Sequence, residues 1–219
     1  METPASGIRV SEACPMNSVY EILEWLHKKL VFGRRAEVLA DALAPFIPSD
    51  SSVLDIGCGN GRIDRLLADR KPGVSIRGID VLVRPDCLIE HQKYDGKTIP
   101  YSGSSFDLCL FVDVLHHTEA IPEILGEAAR VSRSYILIKD HLCETNMHRH
   151  ILKFMDWLGN RPHGVRLTYN YLSRRQWEKC FEDGNLQVVG WMEEIPLYPG
   201  PFQLLFGTGL HFVALLRKV

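Results

Sequence analysis

Apolar and polar positions follow two alternating patterns along most of the chain. Short apolar runs, which are typical of buried strands, predict strands at residues 53–56, 75–80, 89–94, 106–112, 135–139, 186–192 and 211–216. Between these runs, apolar residues recur at helical spacing and predict helices at residues 18–43, 63–71, 119–131, 145–158 and 173–182. Strands that alternate with helices indicate an α/β fold: a doubly wound, mostly parallel seven-stranded sheet with an antiparallel C-terminal strand.

The first 50 residues differ from the rest, because no strand is predicted there. Residues 1–17 contain Pro4, Gly7 and Pro15 and are interpreted as a loose tail before the first helical segment. We therefore expect residues 1–50 to form an N-terminal tail and helical lid, and residues 51–219 to form the ligand-binding domain. A chain of 219 residues has the size of one domain, so both parts are expected to make a single domain overall.

The composition, with 46% hydrophobic and 24% charged residues, is that of an ordinary globular protein. A net charge of -2 gives no reason to expect nucleic acid as a partner. No apolar run approaches the roughly 20 residues of a membrane span, and no secretory signal is visible at the N-terminus. The six cysteines are scattered without a Cys-x-x-Cys pair, so we expect reduced thiols, a cytoplasmic location and no zinc site.

The segment after the first predicted strand is rich in glycine, with three glycines at alternate positions from Gly57 to Gly61. In parallel sheets such a turn lies at the carboxyl edge, where ligands bind. A dinucleotide site needs a small residue at the position of Arg62, so pyrophosphate binding is disfavoured. Asp80, at the end of the second predicted strand, can accept hydrogen bonds from both ribose hydroxyls, and Asp55 can attract an amine. These residues favour a nucleoside that carries an ammonium group and no pyrophosphate.

Residues 53–61, Val-Leu-Asp-Ile-Gly-Cys-Gly-Asn-Gly, resemble motif I of the class I S-adenosylmethionine-dependent methyltransferases. Asp80 matches the acidic residue that binds ribose in that family. Further segments are similar to its adenine loop and to its fourth-strand block, as found in quinone-biosynthesis C-methyltransferases and many natural-product O-methyltransferases. These segments are residues 95–96, 99–101, 105–107 and 113–117. The resemblance covers residues 51–140 and implies a Rossmann-like methyltransferase fold.

By this resemblance, the cofactor is S-adenosyl-L-methionine. The residues implied to bind it follow the strands of the sheet: Asp55, Gly57, Cys58, Gly59, Asp80, Val81, Asp95, Gly96, Val112 and Asp113. The resemblance assigns the methionine portion to Asp55 and the glycine loop, the ribose to Asp80, and the exocyclic amine of the adenine to Asp95. Residues 112–113 are expected near the methionine end, and an arginine of the pair at residues 34–35 is a candidate to close over the methionine carboxylate.

A methyltransferase needs a general base only when its acceptor must lose a proton. His141 is the candidate catalytic base, because it follows the fifth predicted strand at the carboxyl edge of the sheet. His116 and His117 are weaker candidates, since a histidine at a helix start is commonly structural. The side chains of residues 141–150 do not have the spacing of a standard metal site, so no metal is expected.

The sequence therefore predicts an enzyme that transfers a methyl group from S-adenosylmethionine to a hydroxyl or activated carbon of a small, largely apolar metabolite. Apolar side chains in residues 147–158 and 198–206 would either cover this acceptor or pack in the core. Two alternatives stay open. One is a protein or tRNA methyltransferase, which a basic surface patch would favour, and the other is a non-catalytic module that binds S-adenosylmethionine.

Overall fold

The computed structural model describes residues 33–82, 84–160 and 167–219. In this part of the chain, seven strands form one sheet with the order β3-β2-β1-β4-β5-β7-β6. The strands are β1 (Ser52–Ile56), β2 (Ser75–Asp80), β3 (His91–Lys93), β4 (Phe106–Val112), β5 (Ser132–His141), β6 (Leu186–Met192) and β7 (His211–Lys218). The helices are α1 (Gly33–Leu43), α2 (Arg62–Arg70), α3 (Ile121–Val131), α4 (Asn146–Asn160), α5 (Arg174–Asp183) and α6 (Phe202–Phe206).

The directions of the strands confirm the predicted fold class. Strands β1 to β5 pair in parallel, whereas β7 lies antiparallel between β5 and β6. The strand order reverses beside β1, since β2 lies on one side of it and β4 on the other. Such a switch point opens a crevice at the carboxyl ends of the central strands, and this is where an α/β sheet binds its ligand.

Alternating side chains of the central strands pack against helices on both faces of the sheet. Val53 joins the cluster that includes α1 and α2, and Leu54 joins the cluster that includes α3 and α5. The same alternation continues at the end of β5, where Leu137 lies on the α1 face and Ile138 on the α3 face. The side chains of the β5 end are therefore divided between the two faces.

Several predicted boundaries agree with the structure, and the differences have physical reasons. Strands β2, β4 and β6 have the predicted bounds, and α5 begins with the capping box of Ser173 and Gln176. Strand β5 is longer than predicted, because β7 pairs with it from Tyr135 to His141. The helical prediction before Gly33 lies outside the described residues. None of the described helices is both long and apolar enough to cross a membrane.

Candidate functional site

A cavity of about 920 Å³ lies at the carboxyl ends of β1, β4 and β5. The glycine loop after β1 forms one side of it, and side chains of α4 and α6 form the other. Seven of the eleven residues predicted to bind cofactor or act as the base line this cavity: Asp55, Gly57, Cys58, Gly59, Val112, Asp113 and His141. The volume is in the range of small-molecule sites, and the place in the fold is the one expected from the strand order.

The glycine loop has a left-handed backbone at each of its three glycines. A Cβ atom at Gly57 would lie 2.5 Å from Val114, and one at Gly61 would lie 2.8 Å from Ile89. At Gly59, in contrast, no atom lies within 4 Å of the Cβ position. The loop thus needs glycine for packing at its two ends, and its middle leaves open space in which a ligand can approach the backbone.

Asp80, at the end of β2, holds the glycine loop in place through a hydrogen bond to its backbone. Its Oδ2 accepts a hydrogen bond from the backbone N–H of Gly59 at 2.8 Å, and its Oδ1 accepts one from Leu82 at 2.8 Å. Asp80 does not line the cavity. It belongs to the Asp80 shelf, which consists of Asp80, Val81, Asp95 and Gly96.

The remaining members of the Asp80 shelf lie at the carboxyl ends of β2 and β3. Val81 is 46% exposed, and the Cβ position of Gly96 lies 3.1 Å from it. The exposed Asp95 uses Oδ1 to accept hydrogen bonds from the N–H groups of Lys97 and Thr98, which lowers the pKa of its carboxyl. The shelf joins the cavity through the contact between Asp80 and the loop.

A second carboxyl group, which the sequence analysis missed, lies beside Asp55. Asp64 is in the first turn of α2, is 1% exposed, and lines the cavity with Asp55. Burial raises the pKa of the Asp64 carboxyl to about 6. Burial also raises the pKa of Asp55 well above its usual range, and the nearby Asp64 raises it further. The two carboxyl groups are therefore close enough to share a proton.

Asp113 is the centre of a partly buried ion-pair cluster at the end of β4. Its Oδ2 accepts a hydrogen bond from Arg35 at 2.6 Å, and its Oδ1 accepts one from the ammonium group of Lys139. Although burial acts in the opposite direction, Lys139 and Arg35 hold the pKa of Asp113 well below its usual range. Of the predicted arginine pair, Arg35 reaches the cavity, whereas Arg34 is exposed.

His141, the candidate base, is the last residue of β5, and its side chain lines the cavity. Its partner is His211, directly opposite on β7, with 3.1 Å between the two Nδ1 atoms. His211 Nε2 lies 3.0 Å from the carbonyl oxygen of Phe206, so Nε2 carries the proton and Nδ1 is an acceptor. His141 then donates its Nδ1–H to His211, and its Nε2 keeps a lone pair.

The surroundings of His141 favour its neutral form. Burial lowers the pKa of its imidazole well below the usual range, and His116 and Lys139 lower it further. Its Nε2 atom lies 3.8 Å from Asp113 Oδ1 and 3.8 Å from Asp156 Oδ1. A proton taken up at Nε2 would therefore be placed next to two carboxyl groups.

Asp140 orients a different histidine from the one beside it in sequence. Because Asp140 and His141 point to opposite faces of the sheet, the Asp140 carboxylate binds His116, at 2.6 Å from Nδ1. Against the effect of burial, Asp140 raises the pKa of His116. His116 Nε2 in turn faces Asp156 Oδ2 at 3.4 Å, and Tyr171 donates its hydroxyl to the same oxygen at 2.5 Å.

The side chains around His116 also have metal-ligand types. Ligand atoms of His116, His117 and Asp156 all lie within 4.8 Å of one another, so their arrangement is compatible with a small cation. These side chains also have partners without a metal ion. His116 is hydrogen-bonded to Asp140, and Asp156 accepts a hydrogen bond from Tyr171, so they form a hydrogen-bonded network. The predicted absence of a metal stays a prediction. Glu144, which precedes α4, and His150, on α4, were not expected to bind a metal, and both are exposed.

The outer wall of the cavity is apolar and comes from α4 and from the segment before β7. The residues with this property are Phe154, Met155, Leu158, Tyr198, Phe202 and Phe206. The sequence analysis left open whether these stretches line a cavity or pack in the core, and side chains of both kinds are found. Met155 and Phe206 also pack against the core on the α1 face, whereas Met147 is 68% exposed and does not line the cavity. The cavity therefore combines this apolar wall with a polar floor, which is formed by Asp113 and His141 at the ends of β4 and β5.

Comparison with known proteins places this chain in a known family. Residues 29–190 match the family described as the methyltransferase domain. One similar solved structure is a chain from the complex between the Haloferax volcanii Trm112 methyltransferase activator and a methyltransferase. Its TM-score is 0.66 and its sequence identity 16%, and the match covers 93% of this chain and 99% of that one. Another is an S-adenosylmethionine-dependent methyltransferase from Aquifex aeolicus, with a TM-score of 0.58, 18% identity, and coverage of 92% and 98%. At these identities, the structures show the fold.

A curated relative is trans-aconitate 2-methyltransferase from Streptomyces avermitilis, which is 40% identical over 67 residues. The match covers 29% of this chain and 24% of that protein. The chain thus matches about a quarter of the length of this relative, which is too little to transfer its substrate.

Proposed function

The chain belongs to the methyltransferase domain family, with the fold of the class I S-adenosylmethionine-dependent enzymes, and from this premise we propose that it methylates a hydroxyl or an activated carbon of a small, largely apolar metabolite. The observation that carries the proposal is the division of the cavity. One side of the cavity is the glycine loop, with open space at Gly59. The other side consists of the apolar wall and the polar floor described above.

The residues around the loop fit S-adenosylmethionine chemically. Asp55 Oδ1 and Arg35 Nε are buried without a hydrogen-bond partner among the described residues, and both side chains line the cavity. An acidic and a basic group with unused hydrogen-bonding capacity suit the ammonium and carboxylate ends of an amino acid. Asp80 retains lone pairs for ribose hydroxyls beyond its two backbone contacts, and Val81 and Asp95 are available for the adenine. When bound, the cofactor supplies a methyl group on a sulfonium that is already activated.

The protein contributes alignment and exclusion of water to such a transfer. The apolar wall with Phe154, Tyr198 and Phe206 would hold the body of the acceptor, and the polar floor would receive its reacting group. This combination favours a small molecule that is mainly apolar and carries one polar reactive group. In the same proposal, α1 belongs to the N-terminal lid of residues 1–50 and contributes Arg35 to the methionine end.

His141 is proposed as the base for a hydroxyl acceptor. Its Nδ1–H bond to His211 holds the ring in one tautomer, which leaves Nε2 free to take the acceptor proton as the methyl group arrives. Asp156 at 3.8 Å from Nε2 would stabilise the imidazolium that forms. Asp113 is less effective in this role, since Arg35 and Lys139 already neutralise its charge.

Methyl transfer from isotope-labelled S-adenosylmethionine tests the proposed acceptor class. The purified protein is incubated with phenols, quinone precursors, small carboxylic acids including trans-aconitate, bulk protein and tRNA, and the labelled product is identified by mass spectrometry. We expect label in a phenol or quinone precursor. Label in protein or tRNA only would instead support a protein or tRNA methyltransferase. Binding of S-adenosylmethionine without label in any product would support a non-catalytic binding module.

A further inference from the structure

Asp64 has no role in the site as described so far, and its surroundings are unusual for a buried carboxylate. Both of its side-chain oxygens are buried and accept no hydrogen bond from the N–H or hydroxyl group of another described residue, and the side chain beside them is the carboxyl group of Asp55. It forms no ion pair with a described lysine, arginine or histidine, although Arg65 and Asp69 on the same helix pair with each other. Burying a carboxylate whose neighbour is a second carboxyl group, with no basic partner, is costly, so a protein that keeps this pair is expected to use it.

Asp55 shares this situation. Its Oδ1 is also buried without a partner, and it forms no ion pair with a described residue. Asp55 ends in the cavity from β1, and Asp64 reaches the same wall from α2. Two unpaired carboxyl groups on one cavity wall can be neutralised by a shared proton or by a bound cation. The cavity gives a cationic ligand access to both.

We propose that Asp64 and Asp55 together bind the α-ammonium group of the methionine portion of the cofactor, and that Asp64 is the residue that makes binding depend on this group. This inference rests on the proposed function, since it concerns the same cofactor. It goes further in adding a second carboxylate, from α2, to Asp55, the acidic residue that precedes the loop.

The arrangement of charges selects an ammonium group with a neighbouring carboxylate. Arg35 lines the same cavity from α1, which packs directly on α2, and its Nε atom is buried without a partner among the described residues. An arginine on one helix and two carboxylates on the adjoining wall complement the two charges of an amino acid zwitterion. A metal ion would use the carboxylates but would give no role to Arg35 Nε, the atom of this arginine that its ion pair with Asp113 leaves without a partner among the described residues.

The test compares the Asp64→Asn variant with wild type by calorimetry, using three ligands. S-adenosylmethionine carries the amino acid portion, with its ammonium and carboxylate groups, and the sulfonium. S-adenosylhomocysteine carries the same amino acid portion without the sulfonium, and methylthioadenosine lacks both the amino acid portion and the sulfonium. We expect the affinity for the first two ligands to fall by about 10- to 150-fold, the range for a lost hydrogen bond to a charged group, and the affinity for methylthioadenosine to stay the same. Asp69→Asn, an exposed change on the same helix, is the matched control and is expected to leave all three affinities unchanged.

Each other outcome overturns the inference. An equal loss for all three ligands would indicate a damaged loop, no loss would leave Asp64 without this role, and a loss for S-adenosylmethionine alone would indicate contact with the sulfonium. In these cases the proposed function still stands, because wild type binds the cofactor. If wild type binds none of the three ligands, the proposed function fails, and the inference fails with it.

Thermal melting of the ligand-free variants separates binding from a structural role. Since the pKa of Asp64 is raised by burial, its ionised form destabilises the folded protein above about pH 6. Asp64→Asn is therefore expected to melt at a higher temperature than wild type at about pH 8, and this difference should shrink at about pH 5. A variant that melts earlier than wild type at both pH values would show that the carboxylate supports the fold, and would overturn the inference.

Discussion

Replacement of His141 by alanine is the perturbation that examines the proposed chemistry most closely. The change removes the Nε2 lone pair at the cavity floor and leaves His211 Nδ1 with Lys139 as its remaining donor, at 3.3 Å. General-base catalysis is typically worth about 10²- to 10⁴-fold in rate. The pKa of His141 is lowered by burial, which makes it a weaker base, so we expect a loss of kcat in the lower half of that range.

The assay is the rate of methyl transfer to the acceptor found in the labelling experiment, together with the Kd for S-adenosylhomocysteine. We expect kcat to fall while the Kd changes less than twofold, because the role proposed for His141 is contact with the acceptor and not with the cofactor. His150→Ala is the matched control, since this histidine is exposed on α4 and does not line the cavity.

The pH profile separates the base from a merely structural histidine. Because burial lowers the pKa of His141, the wild-type rate should stay flat above about pH 6.5 and should fall only on the acid side of the usual histidine range. This acid limb should disappear in His141→Ala. A variant that keeps nearly the full rate over the whole pH range would refute the assignment and would leave alignment as the only contribution of the protein.

Three further results are expected. Asp80→Ala should weaken binding of S-adenosylhomocysteine by about 1.5–3 kcal/mol, measured by calorimetry, and should also lower the melting temperature, because Gly59 and Leu82 lose their hydrogen-bond acceptor; an unchanged Kd would remove Asp80 from the ribose site. The Kd for S-adenosylhomocysteine should rise as the pH falls from about 8 to 5, since the pKa of Asp64 is about 6 and that of Asp55 is also raised, and a protonated carboxyl holds an ammonium group poorly; a pH-independent Kd would contradict this. Methyl transfer should be unaffected by a strong chelator, and a loss that an added divalent metal restores would instead assign a metal to His116, His117 and Asp156.

The sequence was sufficient to predict the fold and the position of the glycine loop, because both depend on local patterns. Strand alternation identifies β1, β2 and β4 directly, and the glycines mark the turn that follows β1. Asp80 was predicted only as a ribose ligand. In the structure it also accepts the N–H of Gly59, a contact between separate strands that a local pattern does not contain.

The partners of His141 could not be predicted for the same reason. His211 lies opposite His141 only because β7 pairs with β5 in one register, and Lys139 joins them because it is two residues away on the same face. Asp64 was hidden by a different effect. Asp64 lies three residues before the buried Leu67, so helical spacing places both on the same side of α2. What the sequence does not contain is the packing of α2 beside β1, which brings the Asp64 carboxyl group next to Asp55.

Calorimetric titration of the wild-type protein with S-adenosylhomocysteine and, separately, with NAD tests the central claim most directly. The claim is that the loop from Gly57 to Gly61 binds a nucleoside with an amino acid portion and does not bind a pyrophosphate. It predicts one S-adenosylhomocysteine site per chain and no NAD binding, because Arg62 replaces the small residue that a pyrophosphate loop requires. Tight binding of NAD with no binding of S-adenosylhomocysteine would contradict the claim.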